Sequence, residues 1–169
     1  MQDAVAVATI RAALYATTGK KVGKRVQALA IEHASLALSH EHYPDAGFAL
    51  LLEILRVDAL FNKRGIEYFL VNLAADMHQL SLAQRQALLQ VAGENYPRYT
   101  YLDGCWVLGD LIARHYEKPQ AMAFFKKVFR SASAEGREGV ALGLDVIARH
   151  AKRDPGVVRE VQRILRSAP

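Results

Sequence analysis

The sequence predicts an all-α chain, an α-solenoid of about nine helices stacked as helical hairpins, and three observations carry that expectation. The run Asp103-Gly104-Cys105-Trp106-Val107-Leu108-Gly109-Asp110-Leu111-Ile112-Ala113-Arg114-His115 is echoed by Glu138-Gly139-Val140-Ala141-Leu142-Gly143-Leu144-Asp145-Val146-Ile147-Ala148-Arg149-His150. Phe129-Arg130-Ser131-Ala132 is likewise echoed by Leu165-Arg166-Ser167-Ala168. Ala and Leu dominate, while Gly, Pro and β-branched runs are scarce, a composition that favours helix throughout. A period of roughly 35 residues built from paired helices leaves each pair with an apolar face too large to bury alone, so successive pairs stack.

Each element has its own local signal. From Asp3 to about Thr18, Val7, Ile10, Leu14 and Tyr15 recur at helical spacing, and Gly19 closes a first helix. A second is expected from Lys20 to Ser39, with Val22, Val26, Leu29, Ala30, His33, Leu36 and Ala37 on one stripe. Tyr43-Pro44-Asp45 breaks the pattern, because the residue before proline is pushed out of the helical region and Asp45 can cap the next helix. That third helix should run unbroken to Phe61, nearly all apolar and with neighbours on several sides. Asn62-Lys63-Arg64-Gly65 is a turn, and Ile66 to His78 a fourth helix. Ser81-Leu82-Ala83-Gln84 reads as a capping box opening a fifth, which ends near Gly93. Glu94 to Tyr99, containing Pro97, reads as a linker too short to separate domains, so residues 1–169 are expected to form a single helical-repeat domain. Thr100 should cap a sixth helix to Tyr116, and Pro119 sits in the first turn of a seventh ending near Ala132. Glu135-Gly136 opens an eighth to Ala151, and Asp154-Pro155 starts a ninth. Leu108 and Ile112 are then expected to pack on Leu144, Ile147 or their neighbours.

Composition excludes several classes of protein. Hydrophobic residues at 51% and charged residues at 23% belong to a globular chain rather than a disordered or fibrous one. A single cysteine, Cys105, rules out an intrachain disulfide or a multi-cysteine metal site and fits a cytoplasmic location. No basic region precedes the first apolar stretch, which Arg11 interrupts, so no secretory signal is indicated. Apolar runs such as Phe48 to Leu52 fall far short of the about 20 residues that span a bilayer, and no membrane partner is expected. A net charge of +5, concentrated in Lys20, Lys21, Lys24, Arg25 and the tail from Arg149 to Arg166, suits nucleic acid, an acidic protein or an anionic surface.

The segment from Glu138 to His150, followed by Asp154-Pro155-Gly156-Val157-Val158-Arg159-Glu160-Val161, resembles HEAT repeats, in which an Asp-Pro turn leads into a helix bearing Val-Arg and then small and aliphatic positions. The resemblance covers about the last 70 residues well and Gly65 to Gly93 loosely. It implies a right-handed, HEAT/armadillo-like solenoid and a habit of binding macromolecules. It implies no reaction. Such repeats need small residues where helices approach closely, a requirement that Gly109, Ala113, Gly143 and Ala148 would meet.

The conspicuous polar residues of the echo have structural uses. Asp110 with Arg114, and Asp145 with Arg149, are spaced for intrahelical ion pairs of about 0.2–0.5 kcal/mol. His115 and His150 recur near helix C-termini, where a cationic imidazole is favoured. His33, His40 and His42, with Glu41, lack the spacing that sets two imidazoles one helical turn apart, and no metal site is expected. Cys105 lies on an apolar face as an inert thiol, and Trp106 beside it is expected to pack. With no phosphate loop, no nucleophile elbow and no paired carboxylates, neither an enzyme nor a cofactor is expected.

The charge pattern that the repeat places is more pointed. Aligning Pro119 with Pro155 sets Lys127 opposite Arg163 and Arg130 opposite Arg166. Equivalent positions line up across a stack, and second helices commonly line its concave face, so Lys126, Lys127, Arg130, Arg159, Arg163 and Arg166 are expected to form a basic stripe along one groove. Three functions fit that stripe or its scaffold. The first is a non-enzymatic protein-binding module with an acidic partner, for example a toxin-neutralising immunity protein. The second is nucleic-acid backbone binding along the groove, and the third is a scaffold or adaptor subunit.

Overall fold

The computed structural model describes residues 45–151 and 154–167, together with residues 7, 8, 11, 12, 14 and 15. The expected second helix, the Lys20 to Arg25 cluster and His33, His40, Glu41 and His42 lie outside the described residues. Among those described, the chain is all-helical, with eight α-helices, two 3₁₀ turns and no strand. It divides into two compact units, Met1–Ala92 and Gly93–Pro169.

In the first unit the described positions of the expected first helix are helical, and polar contacts tie them to Glu53 and Lys63. The Arg11 guanidinium donates to Glu53 Oε2 at 2.9 Å and the Tyr15 hydroxyl to Glu53 Oε1 at 2.8 Å, so one carboxylate serves two partners. The buried Lys63 amine donates to the Leu14 carbonyl, and desolvation lowers its pKa.

The expected helix from Asp45 to Phe61 is in fact two, α1 (Asp45–Arg56) and α2 (Asp58–Phe61), separated by Val57 in an extended conformation. At about 100° per residue, a straight helix would carry Leu60 to the side opposite Ile54 and Leu55. The break lets Leu50, Leu51, Ile54, Leu55, Leu60 and Phe61 all reach zero exposure. Gly65, at φ 104°, makes the turn into α3 (Ile66–Asp76) in the left-handed region that glycine alone adopts at little cost. A 3₁₀ turn, Met77–Gln79, comes next. The capping box forms in both directions, with Ser81 N donating to Gln84 Oε1 at 2.9 Å and Gln84 N to Ser81 Oγ at 3.2 Å. It opens α4 (Leu82–Asn95), which carries the division between the units.

The stretch expected as a linker is part of the second unit's core. Helix α4 runs on to Asn95 and leads into a 3₁₀ turn, Tyr96–Arg98, with Pro97 in its first turn. Tyr96 and Tyr99 are fully buried, with ring centroids 5.6 Å apart, and Tyr96 stands edge-on to Phe124 at 5.7 Å. Pro97 is tolerated there, because the first turn of a helix leaves the missing N–H without an intrahelical partner. Helix α5 (Leu102–His115) begins after Tyr101, whose side chain makes no cap hydrogen bond, rather than after Thr100. Then come α6 (Lys118–Val128), α7 (Ala134–His150) and α8 (Pro155–Leu165). The cap of α7 is Ser133, which accepts from Gly136 N at 2.9 Å and donates to the Tyr99 carbonyl, tying α7 to the 3₁₀ turn. Asp154 caps α8 by accepting from Gly156 N at 3.0 Å and Val157 N at 3.2 Å.

Helices α5 and α7 touch backbone to backbone. A β-carbon at Gly139 would lie 2.6 Å from the Cys105 carbonyl carbon, and one at Gly143 would lie 2.8 Å from the Gly109 carbonyl oxygen. The contact advances from Cys105 to Gly109 on one helix as it advances from Gly139 to Gly143 on the other, so the two run in the same direction. Leu108, Ile112, Leu144 and Ile147 are buried on these two helices.

Alanine at Gly139 is therefore expected to destabilise the protein by about 1–3 kcal/mol, because backbone atoms cannot yield as a flexible side chain can. At Gly93 the nearest atom a β-carbon would meet is Phe124 Cε2, at 3.4 Å, so Gly93→Ala should stabilise by up to about 1 kcal/mol through helix propensity. Urea unfolding of the two variants checks the opposite signs.

Candidate functional site

Helix α6 buries Ala121, Phe124, Phe125 and Val128, the i, i+3, i+4, i+7 stripe of an amphipathic helix. That choice turns Lys126 and Lys127 outward in its last turn, where cations also complement the terminal carbonyls. Helix α8 buries Val161 and Ile164 and leaves Arg159, Arg163 and Arg166 exposed by the same logic. The cationic faces are thus the complement of the buried ones.

The six residues of the expected stripe meet in two adjoining clefts. The first, about 430 Å³, is lined by Lys126, Lys127, Arg130 and Arg163 with Ile164 and Ser167. The second, about 500 Å³, is lined by Arg159, Gln162, Arg163, Arg166 and Ser167, so Arg163 and Ser167 are common to both. Glu160 of α8, which lines neither cleft, is ion-paired with Arg163 and lies 3.9 Å from the Lys126 amine. Its hydrogen bond to Arg163 holds the Glu160 carboxyl below the usual range, and the same bond raises Arg163. Among the described residues, Lys127, Arg130, Arg159 and Arg166 have no acidic partner.

Glu160 is the participant missing from the expected stripe. Its signal was its spacing, three residues before Arg163, which sets the two on one helical flank.

The other polar residues of the echo fall elsewhere. Arg114 Nε bridges both Asp110 oxygens at 2.7 and 2.8 Å, and Arg149 pairs with Asp145. Both pairs are solvent-exposed, a setting in which i,i+4 pairs contribute about 0.3–0.5 kcal/mol. His115 and His150 line a common cleft of about 400 Å³ at the C-terminal ends of α5 and α7, together with Arg114, Tyr116 and Lys118. Cys105 is fully buried, and its thiol is pushed up to about 12, first by desolvation and then by the charge of Glu135, which leaves it without a reactive thiolate. Trp106, expected to pack, is 40% exposed, because Cys105 and Gly109 take the face that meets α7 and turn the neighbouring indole outward.

Among the described residues no group of three or more His, Cys, Asp and Glu could hold a metal ion, and no helix is long and apolar enough to cross a membrane. No family model, no curated protein and no solved structure matches the chain.

Since the Glu160 pKa is depressed in the folded state, the stabilisation from its ion pairs is present above the ordinary glutamate value and is lost as pH falls through the folded one. Replacing Arg163 with alanine should move the Glu160 midpoint back up toward the ordinary glutamate range, as read by a carboxyl-carbon NMR titration.

Proposed function

We propose that this protein is a non-enzymatic, cytoplasmic binding module that seats an acidic surface of a partner protein in the groove between α6 and α8. A toxin-neutralising immunity protein is one concrete form of that job: it would cover an effector's active site by steric and electrostatic fit. The observation that carries the proposal is the convergence of Lys126, Lys127, Arg130, Arg159, Arg163 and Arg166 on two adjoining clefts, four of them arginines. Arginine's planar fork matches a carboxylate in two parallel hydrogen bonds, and such charge-assisted contacts add about 1.5–3 kcal/mol each. The right-handed, HEAT-like stack belongs to the same proposal. Its support is the parallel α5–α7 contact between segments that echo each other in sequence.

Nucleic acid suits the groove less well. No aromatic side chain lines either cleft to stack an unpaired base.

The test is a double charge reversal, Lys127→Glu with Arg163→Glu. Affinity capture from the native cell followed by mass spectrometry should return a partner with the wild-type protein and lose it with the variant, at a cost of at least about 100-fold in affinity. Equal capture by both proteins would sink the groove as the site.

A further inference from the structure

The second cleft, about 500 Å³, has a lining of one kind. Arg159, Gln162, Arg163, Arg166 and Ser167 contribute three guanidiniums, an amide and a hydroxyl, with no carboxylate, aromatic or aliphatic side chain among them. The first cleft differs, since two lysines and Ile164 stand in it. Spacings of four and three residues set Arg159, Arg163 and Arg166 within an arc of about 60° on the helical path of α8, and their α-carbons span about 10 Å. Three long arginine stems rooted that closely can bring their guanidiniums to one anion. Arg159 and Arg166 have no acidic partner among the described residues, and Glu160 engages Arg163 through Nη2 alone. The Nε and Nη1 donors of Arg163 are thereby left for a ligand.

From this we infer that the second cleft is a phosphoryl subsite, which takes a phosphoserine or phosphothreonine carried by the partner segment seated in the groove. The inference rests on the protein-binding reading above and names the chemistry that the partner presents to α8. A carboxylate has one negative charge and two oxygens, which a single arginine fork satisfies. Three guanidiniums exceed that need. A phosphate monoester carries a charge of about −1.5 to −2 and three acceptor oxygens, enough for several forks at once. Arginine suits it better than lysine, because the planar fork sets two N–H groups on two oxygens and is more weakly hydrated than an ammonium. The lining also narrows what carries the phosphate. With no aromatic or aliphatic side chain in the cleft, nothing there would pack on the ring of a phosphotyrosine, whereas serine and threonine hold the phosphate on a short stem.

Fluorescence anisotropy at about 100 mM salt would compare three labelled peptides, each a triglutamate run followed by glycine and one variable residue: phosphoserine, serine or glutamate. The wild type should bind the phosphoserine peptide at least about tenfold more tightly than the serine peptide, and the glutamate peptide should gain less than about threefold. Arg159→Ala combined with Arg166→Ala, both at exposed positions of α8, should cut the phosphoserine advantage to less than about threefold. Lys127→Ala, in the first cleft, should weaken all three peptides and leave their ratios unchanged. Three results would overturn the subsite and leave the protein-binding reading standing: equal binding of the phosphoserine and serine peptides, a glutamate gain as large as the phosphoserine one, or an advantage that survives the double arginine variant. Inorganic phosphate that binds as tightly as the phosphoserine peptide would show an adventitious ion only and would overturn the subsite as well. A wild type that ignores all three peptides, or prefers a short duplex DNA to them, overturns the protein-binding reading and this inference together.

Discussion

The second unit depends on one close approach, that of α5 to α7 through Cys105, Gly109, Gly139 and Gly143. Glycine costs a helix interior about 1 kcal/mol relative to alanine, so three of them in two facing helices are a liability unless the space they leave is used. It is used by backbone, which brings many atoms of both helices into dispersion range. The same contact places α6, because the Phe125 ring presses on Gly143 beside the seam. Helix α6 is thereby held with its phenylalanines inward and its lysines outward, and α8 is held by Val161 and Ile164. The groove follows from the glycine seam, although no groove residue belongs to α5 or α7.

The groove itself is not built for stability. Its cations are exposed, and exposed ion pairs are worth little, so neither Glu160–Arg163 nor Glu160–Lys126 does much to hold α6 against α8. Gathering six like charges on two adjoining clefts raises self-repulsion instead. Hydrophobic burial on the opposite faces must offset that repulsion, and Phe124, Phe125, Val128, Val161 and Ile164 supply it. A cluster the fold tolerates but does not need is the kind of feature that a binding role would explain.

The features the sequence disclosed and those it hid divide along a physical line. The capping box at Ser81 and Gln84 and the Asp154-Pro155 start rest on local chemistry, and each is in place. Features decided by distant packing were illegible. The break at Val57 appears only when Leu60 must share a core with Ile54, and the Tyr96–Arg98 turn reads as a linker until its tyrosines are seen against Phe124. Ser133 caps α7 ahead of Glu135-Gly136 because its hydroxyl also reaches the Tyr99 carbonyl, a contact remote in sequence. Residue type alone assigns Trp106 to the core, whereas helical phase against Gly139 and Gly143 turns it outward.

The echo that dominates the sequence and the groove that dominates the surface lie on different helices, and the separation has a physical basis. The helices of the echo must approach closely, so their positions are constrained to small residues at the seam, and their Asp, Arg and His are left to ion pairs and helix ends. Helices α6 and α8 carry no such seam and need only one buried stripe, which frees the rest of their surface for charge. Because Lys127 and Arg130 recur as Arg163 and Arg166, the repeat that spaces the seam also spaces the cations. Glu160 breaks this regularity, since the position equivalent to it on α6 is Phe124. A core phenylalanine in one repeat and a partly exposed carboxylate paired with Arg163 in the other mark the point at which the two repeats stop being interchangeable.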